Sequence, residues 1–345
     1  MVLSKLTVPA VILALAATVT AAEKPLVTLD ELLDSAGFSE EARAKIQRGE
    51  VVSEGLDDDL TATHLGVAVT VHIDLPPMEL LDYLGEARDH REDPDLLGFG
   101  DIDENDLDGS FAAVEFTADE GDEIRKLLAA EPGADFNFST EEYARLAELR
   151  ERFSPKGCPG DPACVDAVMS AYRTILKGRF EAYRKQGVEG LAAYARADGE
   201  TTEPSNELQA VAKASILEER RPDIYEAVYG YPEGNQELVT HNFQWFKVMS
   251  QDRPNFILSH RIELLEPPAA YELMRQFYST SSFNCSVASS GMFPIEDRTF
   301  FFFYNRTFTY QVTGFMAGTR KKMGGKMMAK SIRDDLLRLQ QNLDE

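Results

Sequence analysis

Residues 235–279 read NQELVTHNFQWFKVMSQDRPNFILSHRIELLEPPAAYELMRQFYS, a run of β-type segments broken by turn-forming clusters. The segments Glu237–Met249, Phe256–Leu265, Tyr271–Tyr278 and, further on, Thr299–Val312 are separated by Asp252–Asn255, Glu266–Pro268 and Gly291–Asp297. Clusters of Pro, Gly, Asn and Asp at such intervals suit an antiparallel meander. The last segment, from about Phe315 to Leu343, carries Phe315, Met323, Met327, Ile332, Leu336 and Leu339 along one broad stripe. It reads as a long amphipathic helix that packs on the sheet.

Upstream, helices are expected around Leu26–Ala36 and Ser39–Arg48. From His64 to Ile73 the chain alternates: Leu65, Val67, Val69, Val71 and Ile73 point one way and the intervening residues the other, the period of a half-buried strand. Pro76-Pro77 stops it, and Met78–Leu84 forms a short helix with proline at its start. The middle, 87–234, reads as a mostly helical insertion, with a capping box at Ser139–Glu142, a long helix over Pro162–Gln186 and another over Asn206–Glu219.

The 345 residues are 43% hydrophobic, enough to bury a core, and carry a net charge of −24. That charge argues against a nucleic-acid partner, whose binding needs Lys and Arg on phosphates. Lys5, the apolar run Leu6–Ala17 and the small residues Val19–Ala22 form the pattern of a secretory leader, so residues 1–22 are expected to be a signal peptide and the mature chain to be an exported, soluble protein, periplasmic or extracellular. No later stretch is long and apolar enough to cross a bilayer. Cys158 and Cys164 bracket a turn-rich loop, and an oxidising compartment would pair them as a disulfide. Cys285 reads as a buried small hydrophobe. Asp101, Asp103 and Asn105 fit the start of an EF-hand loop, but Asp106 stands where its glycine belongs and Ala112 where its bidentate Glu belongs. No metal or cofactor site is expected.

The order of elements resembles the helix-grip superfamily of START-related and pollen-allergen-like lipid-binding domains. The matching residues are the strand His64–Ile73 with Leu75-Pro76-Pro77-Met78-Glu79-Leu80-Leu81 at one end, and Phe301–Thr307 with the Gly- and Met-containing terminal helix at the other. The resemblance implies an α+β fold in which a curved antiparallel sheet wraps a long C-terminal helix, with core segments 50–86 and 235–345 in a domain spanning 23–345. It also implies a hydrophobic cavity between sheet and helix, holding a lipid or other apolar small molecule. The superfamily includes carriers, sensors and enzymes, so function has to come from the site.

His260 shares a strand face with Phe256, Leu258, Ile262 and Leu264, so it is either a hydrogen-bonded core histidine or a polar group in a pocket. In Phe300–Tyr310 the even positions include Phe302, Tyr304, Arg306 and Tyr310, an aromatic wall that suits an apolar ligand or ordinary core packing. Arg275 and Arg306 would hold a carboxylate or phosphate head group, or pair with one of the many acids. Met323 and Met327 are adaptable enough to line such a pocket. Arg320, Lys321, Lys322, Lys326, Lys330 and Arg333 precede the terminal helix's first acid, Asp334, and suit either transient contact with an anionic membrane surface or a solvated helix face. Two other functions stay open: an enzyme on the same scaffold with His260 in its pocket, and an interaction protein working through the insertion.

Overall fold

A computed structural model describes residues 28–56, 60–86, 95–314 and 316–343; the expected leader and Phe315 lie outside the described residues. The fold is α+β. Its strands are β1 (Val52–Gly55), β2 (His64–Ile73), β3 (Leu96–Asp101), β4 (Tyr194–Ala195), β5 (Thr201–Thr202), β6 (Thr240–Ser250), β7 (Arg253–Glu266), β8 (Ala269–Ser279), β9 (Cys285–Ile295) and β10 (Arg298–Phe308). β4 and β5 pair only with each other; the rest form one curved, open antiparallel sheet in the order β1-β2-β10-β9-β8-β7-β6-β3. The helices are α1 (Leu29–Ser35), α2 (Glu40–Gln47), α3 (Pro77–Glu86), α4 (Leu107–Ser110), α5 (Gly121–Leu128), α6 (Thr140–Arg150), α7 (Pro162–Gln186), α8 (Pro204–Lys213), α9 (Leu217–Arg220), α10 (Pro222–Tyr229) and α11 (Ala317–Leu343).

Local chemistry sets many of these boundaries. Thr28 and Ser139 open α1 and α6 with capping boxes, each oxygen accepting from the backbone N–H three residues on while Glu31 or Glu142 accepts from the cap's own N–H. Asp161 caps α7 ahead of Pro162. Gly187 ends α7 at φ +59°, with the Tyr231 carbonyl so close that a Cβ would sit 2.0 Å from it. Cys158 and Cys164 form a disulfide just before and inside the start of α7.

Four expectations need correction. The β6–β7 turn is Gln251-Asp252, both at positive φ as a tight two-residue hairpin requires, so Arg253, Pro254 and Asn255 belong to the strand. Gly291–Ile295 is strand, not turn; β9 turns into β10 through Glu296-Asp297 alone. β3, within the stretch read as helical, pairs with β6 at the edge of the main sheet. The helix expected over Asn206–Glu219 is also broken, into α8 and α9.

Helices cover both faces of the sheet. One face packs α3 and α11 against Val67, Val69, Val71, Ile73, Phe301 and Met292. On the other, α1 and α2 cover Ala68, Phe300 and Phe302, while α5–α8 and α10 cover Phe256, Leu258, Phe277 and Val287. β2 is therefore buried on both sides rather than half-buried, because each face has its own helical layer.

Candidate ligand-binding cleft

A cleft of about 230 Å³ lies on the face opposite α11. Cross-strand register builds its floor. One row runs Ile262, Leu273, Ser289, Tyr304; the next runs Leu264, Tyr271, Gly291, Phe302. Where the flanking strands carry large side chains, β9 contributes a hydroxymethyl group and a hydrogen, and the floor sinks there. The roof is Val211, Ile216, Ile224 and Val228 from the α8–α10 region, with Leu32 of α1 at the side. Tyr304 reaches α1 through its hydroxyl, 2.5 Å from Ser35 Oγ. An ion pair between Arg220 of α9 and Glu31 of α1 joins two helices that border the cleft.

One end is cationic. Arg306 lines the cleft, its guanidinium 5.8 Å from the Tyr304 ring centroid. Arg275, two strands away in the same row, is buried; it donates to the Tyr183 hydroxyl at 2.6 Å and the Val228 carbonyl at 3.0 Å. Among the described residues no carboxylate comes within ion-pair distance of Arg275. Its guanidinium lies 5.9 Å from the ring centroid of Tyr229, another lining residue. Burial pushes the Tyr229 hydroxyl's pKa up, against opposing effects from Ser215, Arg275 and Arg306. The lining acid, Glu272, is on a strand position whose side chain turns to the other face, where Arg261 holds it at 2.7 Å.

His260 is fully enclosed. Its Nδ1 is 2.8 Å from the Tyr183 hydroxyl and its Nε2 is 2.7 Å from His241 Nδ1. Because Arg275 donates to the Tyr183 oxygen, the tyrosine proton is directed to His260 Nδ1. That puts the His260 proton on Nε2, facing His241 Nδ1, and leaves the His241 proton on Nε2. Burial first, then Arg275, lowers the pKa of both histidines. Desolvation thus favours the neutral form of both rings.

The residues singled out in the sequence thus separate. Phe302, Tyr304 and Arg306 meet in the cleft. Phe256, Leu258, His260 and Arg275 do point to one inward face, but α7 and the preceding loop residue Phe116 fill the space above them: the Tyr183 ring stacks on Phe277 at 3.9 Å, and Tyr172 and Phe116 close on Phe256. Tyr310 stands at the surface with Arg196 4.9 Å over its ring. Met323 and Met327 are 60% and 68% exposed: Ile332, Leu336 and Leu339 of the expected stripe do face the sheet, but Met328 continues it in place of the two methionines. The cavity expected between sheet and α11 is therefore not where the cleft lies. Cys285 is buried as expected, but in polar company: its thiol is 3.5 Å from Glu207, whose carboxyl burial pushes up in pKa. Sequence reasoning missed Ser289 and Gly291, and the helical roof. The one signal available was the small-residue run Ala288-Ser289-Ser290-Gly291 amid aromatic strands.

Comparison with protein-family models, with curated proteins and with solved structures finds no match.

Proposed function

We propose that this chain is an exported binding protein for a small amphipathic molecule, with an apolar body over Ser289 and Gly291 and an anionic group at Arg306. The observation that carries this reading is the cleft itself: an apolar recess created by two small residues in an otherwise bulky floor, with Arg306 lining it and Arg275 uncompensated behind Tyr229. Arg306 is half-buried and offers the direct contact, while the charge of Arg275, buried behind Tyr229, is little screened by water and adds to the attraction for an anion. The volume is below the about 300–1,000 Å³ of pockets that enclose drug-sized ligands. It suits a small lipid-like acid or the end of a longer chain. Turnover through His260 has no such support, since that residue is enclosed away from the cleft.

The scaffold part of the proposal is a helix-grip-like fold. In its support, the chain builds the sheet strand by strand from β6 to β10, the last strand β10 returns beside the long strand β2, and a long helix follows it. Export rests on the leader pattern and on the disulfide, which persists in oxidising compartments.

The test is native mass spectrometry of protein purified without detergent, followed by titration with medium-chain carboxylic acids and the matching alcohols. Retention of a stoichiometric acid, or acids binding at least about tenfold tighter than alcohols, is expected; tenfold is about 1.4 kcal/mol. A protein that arrives empty and ignores both series is not the proposed carrier.

A further inference from the structure

We infer that the outward face of α11 is a docking surface for an anionic lipid bilayer. It is independent of the cleft, which lies on the other side of the sheet. Between Ala317 and Arg333 the helix carries six cations and no acid, in a chain whose net charge is −24. Its inward face is already committed. Met328, Ile332, Leu336 and Leu339 pack on β2 and its neighbours, Gly324 sits so close to Leu65 that a Cβ would lie 3.1 Å from it, and Lys321 Nζ reaches the Thr61 carbonyl at 3.4 Å.

The outward face has a different composition. Met323 and Met327 are among the most exposed large apolar side chains in the protein, and Met316, just before the helix, is 56% exposed. At about 100° per residue, Met323 and Met327 lie about 40° apart, flanked by Lys326 and Lys330 on one side and Arg320 on the other. Lys322 and Arg333 extend the cationic flank, and Lys330 also pairs with Asp334 at 2.7 Å. Unbranched methionines along a line, bordered by side chains long enough to keep their charges in the headgroup layer, are the pattern of a helix lying flat in a membrane interface. Charge alone would suit an acidic protein equally; the exposed methionines favour lipid.

Sedimentation of the full chain with phosphatidylcholine vesicles, with and without about one-third phosphatidylglycerol, tests this directly. Binding is expected only to the anionic vesicles and should fall as salt rises. The double variant K322E/K326E should lower partitioning by about 25-fold or more, from about fivefold per cation at an anionic surface. M323S/M327S should lower it about tenfold while leaving the charge unchanged. Absence of binding at low salt, or partitioning that neither variant alters, overturns the inference. So does a result in which K322E/K326E abolishes self-association without affecting vesicles, which would assign the face to a second copy of the chain. Circular dichroism accompanies each variant. Loss of fold on replacing these exposed residues would show that the face is not outward, and would overturn the inference as well.

Discussion

The two faces of the sheet divide along β10, where Phe300, Phe302, Tyr304 and Arg306 look one way and Phe301, Phe303, Asn305 and Thr307 the other. On the α11 side the main cover is one 27-residue helix with an apolar stripe along β2, and the ten-residue α3 packs beside it. On the other face the 25-residue α7 closes the part over Phe256 and His260, but the cleft itself is roofed by short helices from separate parts of the chain, of seven residues in α1, ten in α8, four in α9 and eight in α10. Short rods meeting at angles do not tile a curved sheet, and the gap falls over the smallest floor residues. A long helix gives closure; a mosaic of short ones gives a recess.

The largest effect that separates the faces comes from truncating neighbouring phenylalanines. Phe302→Ala and Phe301→Ala should each destabilise the fold by about 3–5 kcal/mol, since both rings are buried. Only Phe302→Ala should also change ligand affinity, because only that ring lines the cleft. Urea unfolding and a binding titration on both variants decide it, and equal binding losses would break the distinction between the faces.

A cleaner contrast adds bulk instead of removing it. Ser289→Phe should fill the recess and weaken ligand binding by about 100-fold, some 2.7 kcal/mol. Ala288→Phe, one residue earlier and facing the other side, should leave affinity within about threefold while costing stability through overpacking. If both variants bind alike, the ligand does not sit over Ser289.

Much of the fold is legible in the sequence where one strong period runs uninterrupted, as in β2, α7 and α11. The cleft is not, and the reasons are specific. Its floor and roof come from residues as far apart as Leu32 and Arg306, and no local pattern reports which helix will lie over which strand. On α11 two apolar stripes compete, Met323 with Met327 and Met328 with Ile332, centred about 140° apart around the helix; only the sheet decides which is buried. Gly291 resembles a turn residue because nothing in its neighbours shows that its missing side chain is needed. The alternation Phe256, Leu258, His260 does mark one face, yet whether that face is filled depends on α7, about eighty residues earlier.

Beneath the cleft's cationic end, the His241–His260 pair should make stability depend on pH. Both pKa values are lowered in the folded protein. The unfolded chain therefore binds more protons once pH drops below the ordinary histidine value of about 6.5, and stability falls from there down through the folded-state pKa, by up to ~1.4 kcal/mol per pH unit per histidine. Glu207, raised by burial, acts in the opposite sense above the ordinary carboxyl value. Urea midpoints measured from pH 7 to pH 5 should decline in the native protein and decline less in His260→Gln. An unchanged slope in that variant would mean that the pair is not protonated on unfolding.

The smallest expected effect concerns the border of the cleft. Glu31 is held down to about pKa 2, first by the Thr28 backbone amide, then by the Thr28 hydroxyl and Arg220. A lowered carboxylate contributes in full above its unfolded value, and the contribution is lost as pH falls towards 2. The tie between α1 and α9 is thus intact throughout the neutral range. Because it lies at the surface it adds little to global stability, but it joins the two short helices whose separation would widen the cleft. Glu31→Gln removes the ionic part of the tie and keeps a side chain able to complete the capping box. Ligand dissociation should then accelerate by about two- to fivefold at low salt, and raising the salt should bring the native protein towards the variant. A substitution at Asp335, whose partner Arg338 is on the exposed side of α11, should leave dissociation unchanged. Were the two substitutions to act alike, the mosaic of short helices would not be what governs access, and the contrast between the faces would lose its dynamic half.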